Sequence, residues 1–105
     1  MASGILGQVE LPANTDTVVY TVPAGFITTM NINILNPTLD TSDITVYLSS
    51  SSTPTSAEKI EAGVDVDSTA VLERTGIVME ENRNLVVRSS VAGIIVNAYG
   101  FEEEV

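Results

Sequence analysis

From Thr15 to Asn36 the chain reads TDTVVYTVPAGFITTMNINILN, and its second half alternates with almost no interruption. Met30, Ile32 and Ile34 fall on one side, and Thr29, Asn31 and Asn33 on the other. Period two over that length is the pattern of a strand with one face buried and one face wet. The stretch predicts a strand over Thr17–Val22, a turn at Pro23-Ala24-Gly25, and a longer strand over Phe26–Leu35, together a hairpin. Gly25 is expected in the fourth place of a type I turn or in a slightly longer loop. Asn36-Pro37 ends the second strand, because Pro cannot donate to a ladder and holds its predecessor extended. Alternation returns at Ile44–Leu48, where Ile44, Val46 and Leu48 oppose Thr45 and Tyr47. Apolar runs between turn residues predict further strands at Ile5–Leu11, Thr69–Glu73, Gly76–Met79, Leu85–Ser89 and Ile94–Phe101. Ala57–Ile60 reads as a short strand or one helical turn, and Ser49–Ser56 as an exposed Ser/Thr/Pro loop. Ala62-Gly63, Glu80–Asn84 and Ala92-Gly93 read as turns. No segment shows a helical period. About seven to nine short strands, with turn signals roughly every eight to twelve residues, predict an all-β fold: a single antiparallel β-sandwich of jelly-roll type.

The length of 105 residues allows one domain, 1–105, with 1–4 and 102–105 expected as flexible or contact arms. The chain has no cysteine, which removes disulfides and thiolate metal sites. It has no histidine, which removes the commonest general base and the commonest metal ligand. Fourteen acidic residues against Lys59, Arg74, Arg83 and Arg88 give a formal charge of −10. Four scattered cations cannot build a basic face, so neither nucleic acid nor an anionic membrane is an expected partner. The first residues, MASGILGQVELPAN, lack the basic and apolar regions of a signal peptide, so synthesis in the cytoplasm is expected.

Candidate chemistry is sparse. Serines 49, 50, 51 and 52 would need Lys59 as their base, and a solvated loop explains them more simply. Asp65 and Asp67 are the candidate ligands for a hard cation, with Asp40 and Asp43 a looser pair. Neither segment resembles a glycine-turned calcium loop, and solvated turn carboxylates are the simpler reading. Two acids alone do not make a glycosidase, because that chemistry needs a sugar cleft, and the chain has no Trp. Glu102, Glu103 and Glu104 read as a solvated acidic tail or as a contact for a basic partner. Arg74 and Arg88 are expected to pair with Glu73 or Glu10, or to reach another subunit. Thr29, Asn31 and Asn33 are uncharged in a strongly acidic chain, which marks their face as a candidate interface. No catalytic residue and no cofactor is expected.

Three segments carry a family resemblance: VVYTVPAGFITTMNINILN, ITVYLSS, and VLERTGIVMEENRNLVVRSSVAGIIVNAYGFEE. Their order and spacing resemble small β-sandwich virion proteins of tailed bacteriophages, including marine and cyanobacterial ones. The resemblance implies a non-enzymatic structural protein. The first expectation is a decoration or cement protein on the exterior of the capsid, bound to the major capsid protein and assembled as a homotrimer. A tail, neck or fibre-base adaptor is the alternative, and a carbohydrate- or calcium-binding jelly-roll module the second alternative. The resemblance implies a surface rather than a site, so it assigns no residue a role.

Overall fold

The computed structural model describes residues 3–105. Eight strands run in the order β1 (Ser3–Leu11), β2 (Thr17–Thr21), β3 (Phe26–Leu35), β4 (Ser42–Ser49), β5 (Lys59–Val66), β6 (Val71–Met79), β7 (Asn84–Ser89) and β8 (Ile94–Glu104). One 3-10 turn, Ser56–Glu58, precedes β5. The strands form two four-stranded sheets, β1-β8-β3-β6 and β2-β7-β4-β5. Every strand pairing is antiparallel, and the pairs nest: β1 with β8, β2 with β7, β3 with β6, β4 with β5. The expected antiparallel β-sandwich is therefore the fold observed.

Its core lies between the sheets. Met30, Ile32 and Ile34 of β3 face Ile44 and Val46 of β4 and Leu85 and Val87 of β7, all at most 1% exposed. Val96 and Ala98 of β8 complete the layer. The alternation of β3 thus sorts its side chains as the sequence pattern predicts.

The predicted hairpin is not a hairpin. β2 pairs with β7 in one sheet, whereas β3 pairs with β8 and β6 in the other, so Pro23-Ala24-Gly25 is an arch between sheets. Phe26 N–H donates to Pro23 O at 3.2 Å, and Gly25 has φ +82° in the third place, as a type II turn requires. Both arms are amphipathic, and a sandwich lets each bury its apolar face against the other rather than beside it.

Two predicted breaks are bulges. Gly76 lies inside a continuous β6, and Ala62-Gly63 inside β5. In each, the extra residues oppose one residue of the inner neighbour, Asn31 or Thr45. That neighbour caps the bulge: Gly76 N–H donates to Asn31 Oδ1 at 3.0 Å and Gly63 N–H to Thr45 Oγ1 at 3.2 Å. β1 and β2 carry register shifts too, around Leu6 and Val19. All four edge strands are bulged, while the inner pairings β3–β8 and β4–β7 run without interruption. Bulged edges resist the addition of another strand.

The expected terminal arms are largely sheet. Met1 and Ala2 lie outside the described residues, but Ser3 and Gly4 belong to β1. Glu102, Glu103 and Glu104 belong to β8 and pair with Thr28, Ile27 and Phe26. Among the described residues, no helix is long and apolar enough to cross a membrane.

Candidate functional site

Alternation and register build the outer face of β1-β8-β3-β6 from rows of side chains. In strand order these are Ser3, Phe101, Thr29, Val78; then Ile5, Tyr99, Asn31 and the β6 bulge; then Gln8, Asn97, Asn33, Glu73; then Glu10, Ile95, Leu35, Val71. Thr29, Asn31 and Asn33 thus share one half-buried face, as the sequence predicts. Glu10 and Glu73 in these rows sit on the two edge strands, and a further row beyond Thr29 pairs Ile27 with Glu103 of the inner strand β8. Apolar side chains are exposed in the first, second and fourth rows: Phe101 43%, Val78 58%, Ile5 57% and Val71 47%. Across the third row Gln8 Nε2 donates to Asn97 Oδ1 at 2.9 Å. Asn33 makes no side-chain hydrogen bond among the described residues, so its amide keeps full capacity for a partner. Asn31 differs, because its oxygen is engaged by the β6 bulge.

The outer face of β2-β7-β4-β5 sets Val18, Val86, Tyr47 and Thr45 among charged side chains. Arg88 Nη1 lies 3.6 Å from Asp16 Oδ1. Asp43 and Asp65 stand directly opposite each other on β4 and β5, an arrangement that repels. Asp67 is one residue past β5 and accepts from Thr41 Oγ1 at 3.3 Å. Among the described residues no three acidic side chains converge as metal ligands would.

Arg74 pairs with neither Glu73 nor Glu10. It lies opposite Ile32 and on the side of β6 away from Glu73, so its side chain crosses toward β5. There it meets Glu61 Oε1 at 3.4 Å and Ile60 O at 3.4 Å. Arg88 likewise finds Asp16 in place of the expected partners.

Glu102 departs most from expectation. It continues the inward parity of Ile94, Val96 and Ala98 and is only 7% exposed. Tyr20 Oη donates to Glu102 Oε2 at 2.5 Å and shares a 2.8 Å bond with Thr28 Oγ1. Burial, and then the Glu102 carboxylate, push the Tyr20 hydroxyl up to about 12. This cluster ties β2 to β3 and β8 at one end of the sandwich. Sequence reasoning read three glutamates as a tail; the parity of β8 was the signal that separates Glu102 from Glu103. Glu103 is exposed beside Ile27.

The serine loop has an organiser that the sequence reading missed. Glu58 accepts from Thr55 N–H at 2.8 Å, Ser50 N–H at 3.0 Å and Ser49 Oγ at 3.1 Å. The Thr55 and Ser50 amides, in that order, hold its carboxyl down to about 2. Arg83 lies 3.4 Å from Glu58 and 3.2 Å from Glu80. A cleft of about 410 Å³ opens beside this cluster, lined by Leu48, Ile60 and Met79 together with Lys59. Among the described residues its polar groups are already paired, apart from Lys59. The sheet face offers the larger and less engaged surface.

No family model, curated protein or solved structure matches the chain.

Proposed function

We propose that this protein is a non-enzymatic structural component of a virus particle that decorates the outer surface of a shell built by a major capsid protein. The observation that supports the reading is the outer face of β1-β8-β3-β6. In a chain of charge −10, its central columns on β8 and β3 hold only amides, hydroxyls and apolar groups across four rows, and Glu103 beside Ile27 is the first carboxylate beyond them. A face left to bulk water tolerates carboxylates anywhere; a face that meets protein excludes them from its centre. The bulged edges direct contact away from strand addition and toward this face.

The nested pairing of first strand with last, second with seventh, third with sixth and fourth with fifth is that of one long hairpin folded over on itself. We read it as a jelly roll, two Greek keys in two sheets. Such a frame suits a particle component because it presents a wide sheet face without a mobile lid.

Titrating undecorated shells with the protein tests the role. Saturable binding with a fixed number of copies per shell is expected, and the tail should remain unlabelled. Shells that take up no protein at concentrations well above that of their subunits would remove the decoration role.

A further inference from the structure

We propose that the outer face of β1-β8-β3-β6 pairs with the same face of a second copy, so that the protein works as an isologous dimer. The inference rests on the reading of this surface as a contact face and names its occupant as a second copy, so the pair would meet the shell through surfaces outside it.

Three observations point to a second copy. The first is charge. With a formal charge of −10, two copies repel wherever carboxylates meet, and the opposite sheet presents Asp16, Asp43 and Asp65. The β1-β8-β3-β6 face is the broad surface on which that repulsion is absent at the centre. Its carboxylates also occupy three different rows: Glu10 beside Ile95 on β1, Glu73 beside Asn33 on β6, and Glu103 beside Ile27 on β8. A two-fold axis along the strands sets Glu10 over Val71, Glu73 over Gln8 and Glu103 over Ile27. A two-fold axis across the strands sets Glu10 over Ser3 and Glu73 over the β6 bulge. Neither arrangement opposes two carboxylates.

The second observation is the amide row. Among the described residues the Asn33 amide makes no side-chain hydrogen bond, and Asn97 uses its oxygen on Gln8 but keeps its Nδ2 donors. Amides donate and accept, so a row of them is complementary to itself under a two-fold, whereas a foreign partner would have to be matched to it. The third is area. Four strands about 4.8 Å apart, read over four rows spaced about 6.8 Å, cover on the order of 500 Å² in plan. Two such faces together remove about 1,000 Å² or more, the lower bound for a specific interface.

A flat face buried against its own copy is used once, so the assembly closes at two. This replaces the trimer expected from the family resemblance, which would need two different patches on each subunit.

Sedimentation equilibrium tests the pairing. At about 100 μM the wild-type chain should have twice its 11.1 kDa mass. Asn97→Glu and Asn33→Glu each set a carboxylate at the centre of the face and should weaken pairing at least about a hundredfold. Thr45→Val, on the outer face of the other sheet, should leave the mass doubled. Added salt should tighten the wild-type pairing by screening its net charge. A single or triple mass for the wild type overturns the proposal, as does a dimer that survives both glutamates. Circular dichroism separates loss of pairing from loss of fold; if both glutamate variants fail to fold, Asn33→Lys in the same assay must give the monomer. A chain that sediments as a monomer yet saturates shells defeats the pairing and leaves the shell role standing. A dimer that ignores shells does the reverse.

Discussion

The outer face of β1-β8-β3-β6 presents amides, hydroxyls and apolar groups across its middle rows, with Glu10 and Glu73 on the edge strands and Glu103 near the end of β8. The outer face of β2-β7-β4-β5 presents Lys59, the Arg88–Asp16 pair and the opposed carboxylates Asp43 and Asp65. Both faces belong to four-stranded sheets with an uninterrupted central pairing and bulged edges. Backbone regularity therefore does not distinguish them; the distribution of charge does. Ion pairs exposed to water contribute little stability, so a charged face is suited to solvent. A neutral face in an acidic chain has to be explained by what it meets.

The largest disturbance should come from the backbone beneath the neutral face. Gly100 of β8 lies opposite Met30, and a Cβ there would run into the Thr29 carbonyl. Gly100→Ala should destabilise the fold by about 3 kcal/mol or more, which lowers Tm by roughly 15 °C in a thermal scan. Gly63→Ala in β5, on the other sheet, is the matched control. Its Cβ would only approach Asp43 Oδ1 at 3.6 Å, but φ is +64°, so a loss of about 1 kcal/mol is expected.

The tie between the two sheets comes next. Tyr20→Phe removes the donor to Glu102 and should cost about 1–3 kcal/mol in urea unfolding at neutral pH. The same hydroxyl gives an alkaline signature. Its folded value lies above the unfolded one, so the neutral form contributes stability below pH 10 that is lost as pH rises toward about 12. A Tyr20→Phe chain should lack that part of the alkaline decline.

A smaller effect should appear on the acid side. Glu58 is held below its ordinary value by the Thr55 and Ser50 amides. Its contribution is present above about 4.5 and is lost as pH falls toward about 2. Glu58→Gln should flatten the stability profile in that window, and hydrogen exchange at Ser50 and Thr55 should rise. The smallest change sharpens the comparison of the faces. Asp43→Asn should relieve the repulsion with Asp65 and stabilise the chain by about 0.5 kcal/mol, less in high salt. An equal gain from Asn33→Thr would show that charge is not what separates the two faces.

Much of this is legible along the chain. The parity of β3 assigns Met30, Ile32 and Ile34 to the core and Thr29, Asn31 and Asn33 to the outer face, because a pleated strand alternates wherever it pairs. The same rule, carried past Phe101, places Glu102 inward. The tail reading failed because a run of three glutamates looks uniform until parity is applied to it. The Ser49–Ser56 loop was legible as a loop, but not its ordering, since Glu58 organises it through contacts that composition does not reveal.

The sequence by itself determined the class of fold, most of the strands and the sidedness of the inner ones, for those follow from local alternation and turn chemistry; β5 and the continuity of β6 it did not. Only the tertiary structure decided which strands pair. A period-two segment buries the same face whether its neighbour in sequence lies beside it or above it, so a hairpin and an arch leave the same pattern at Pro23-Ala24-Gly25. Bulges at Gly63 and Gly76 likewise look like turns until a partner strand passes them without bending away. The rows that make one face neutral, from Gln8 through Asn97 and Asn33 to Glu73, join residues 89 positions apart. Register across a sheet, and not order along the chain, assembles that surface.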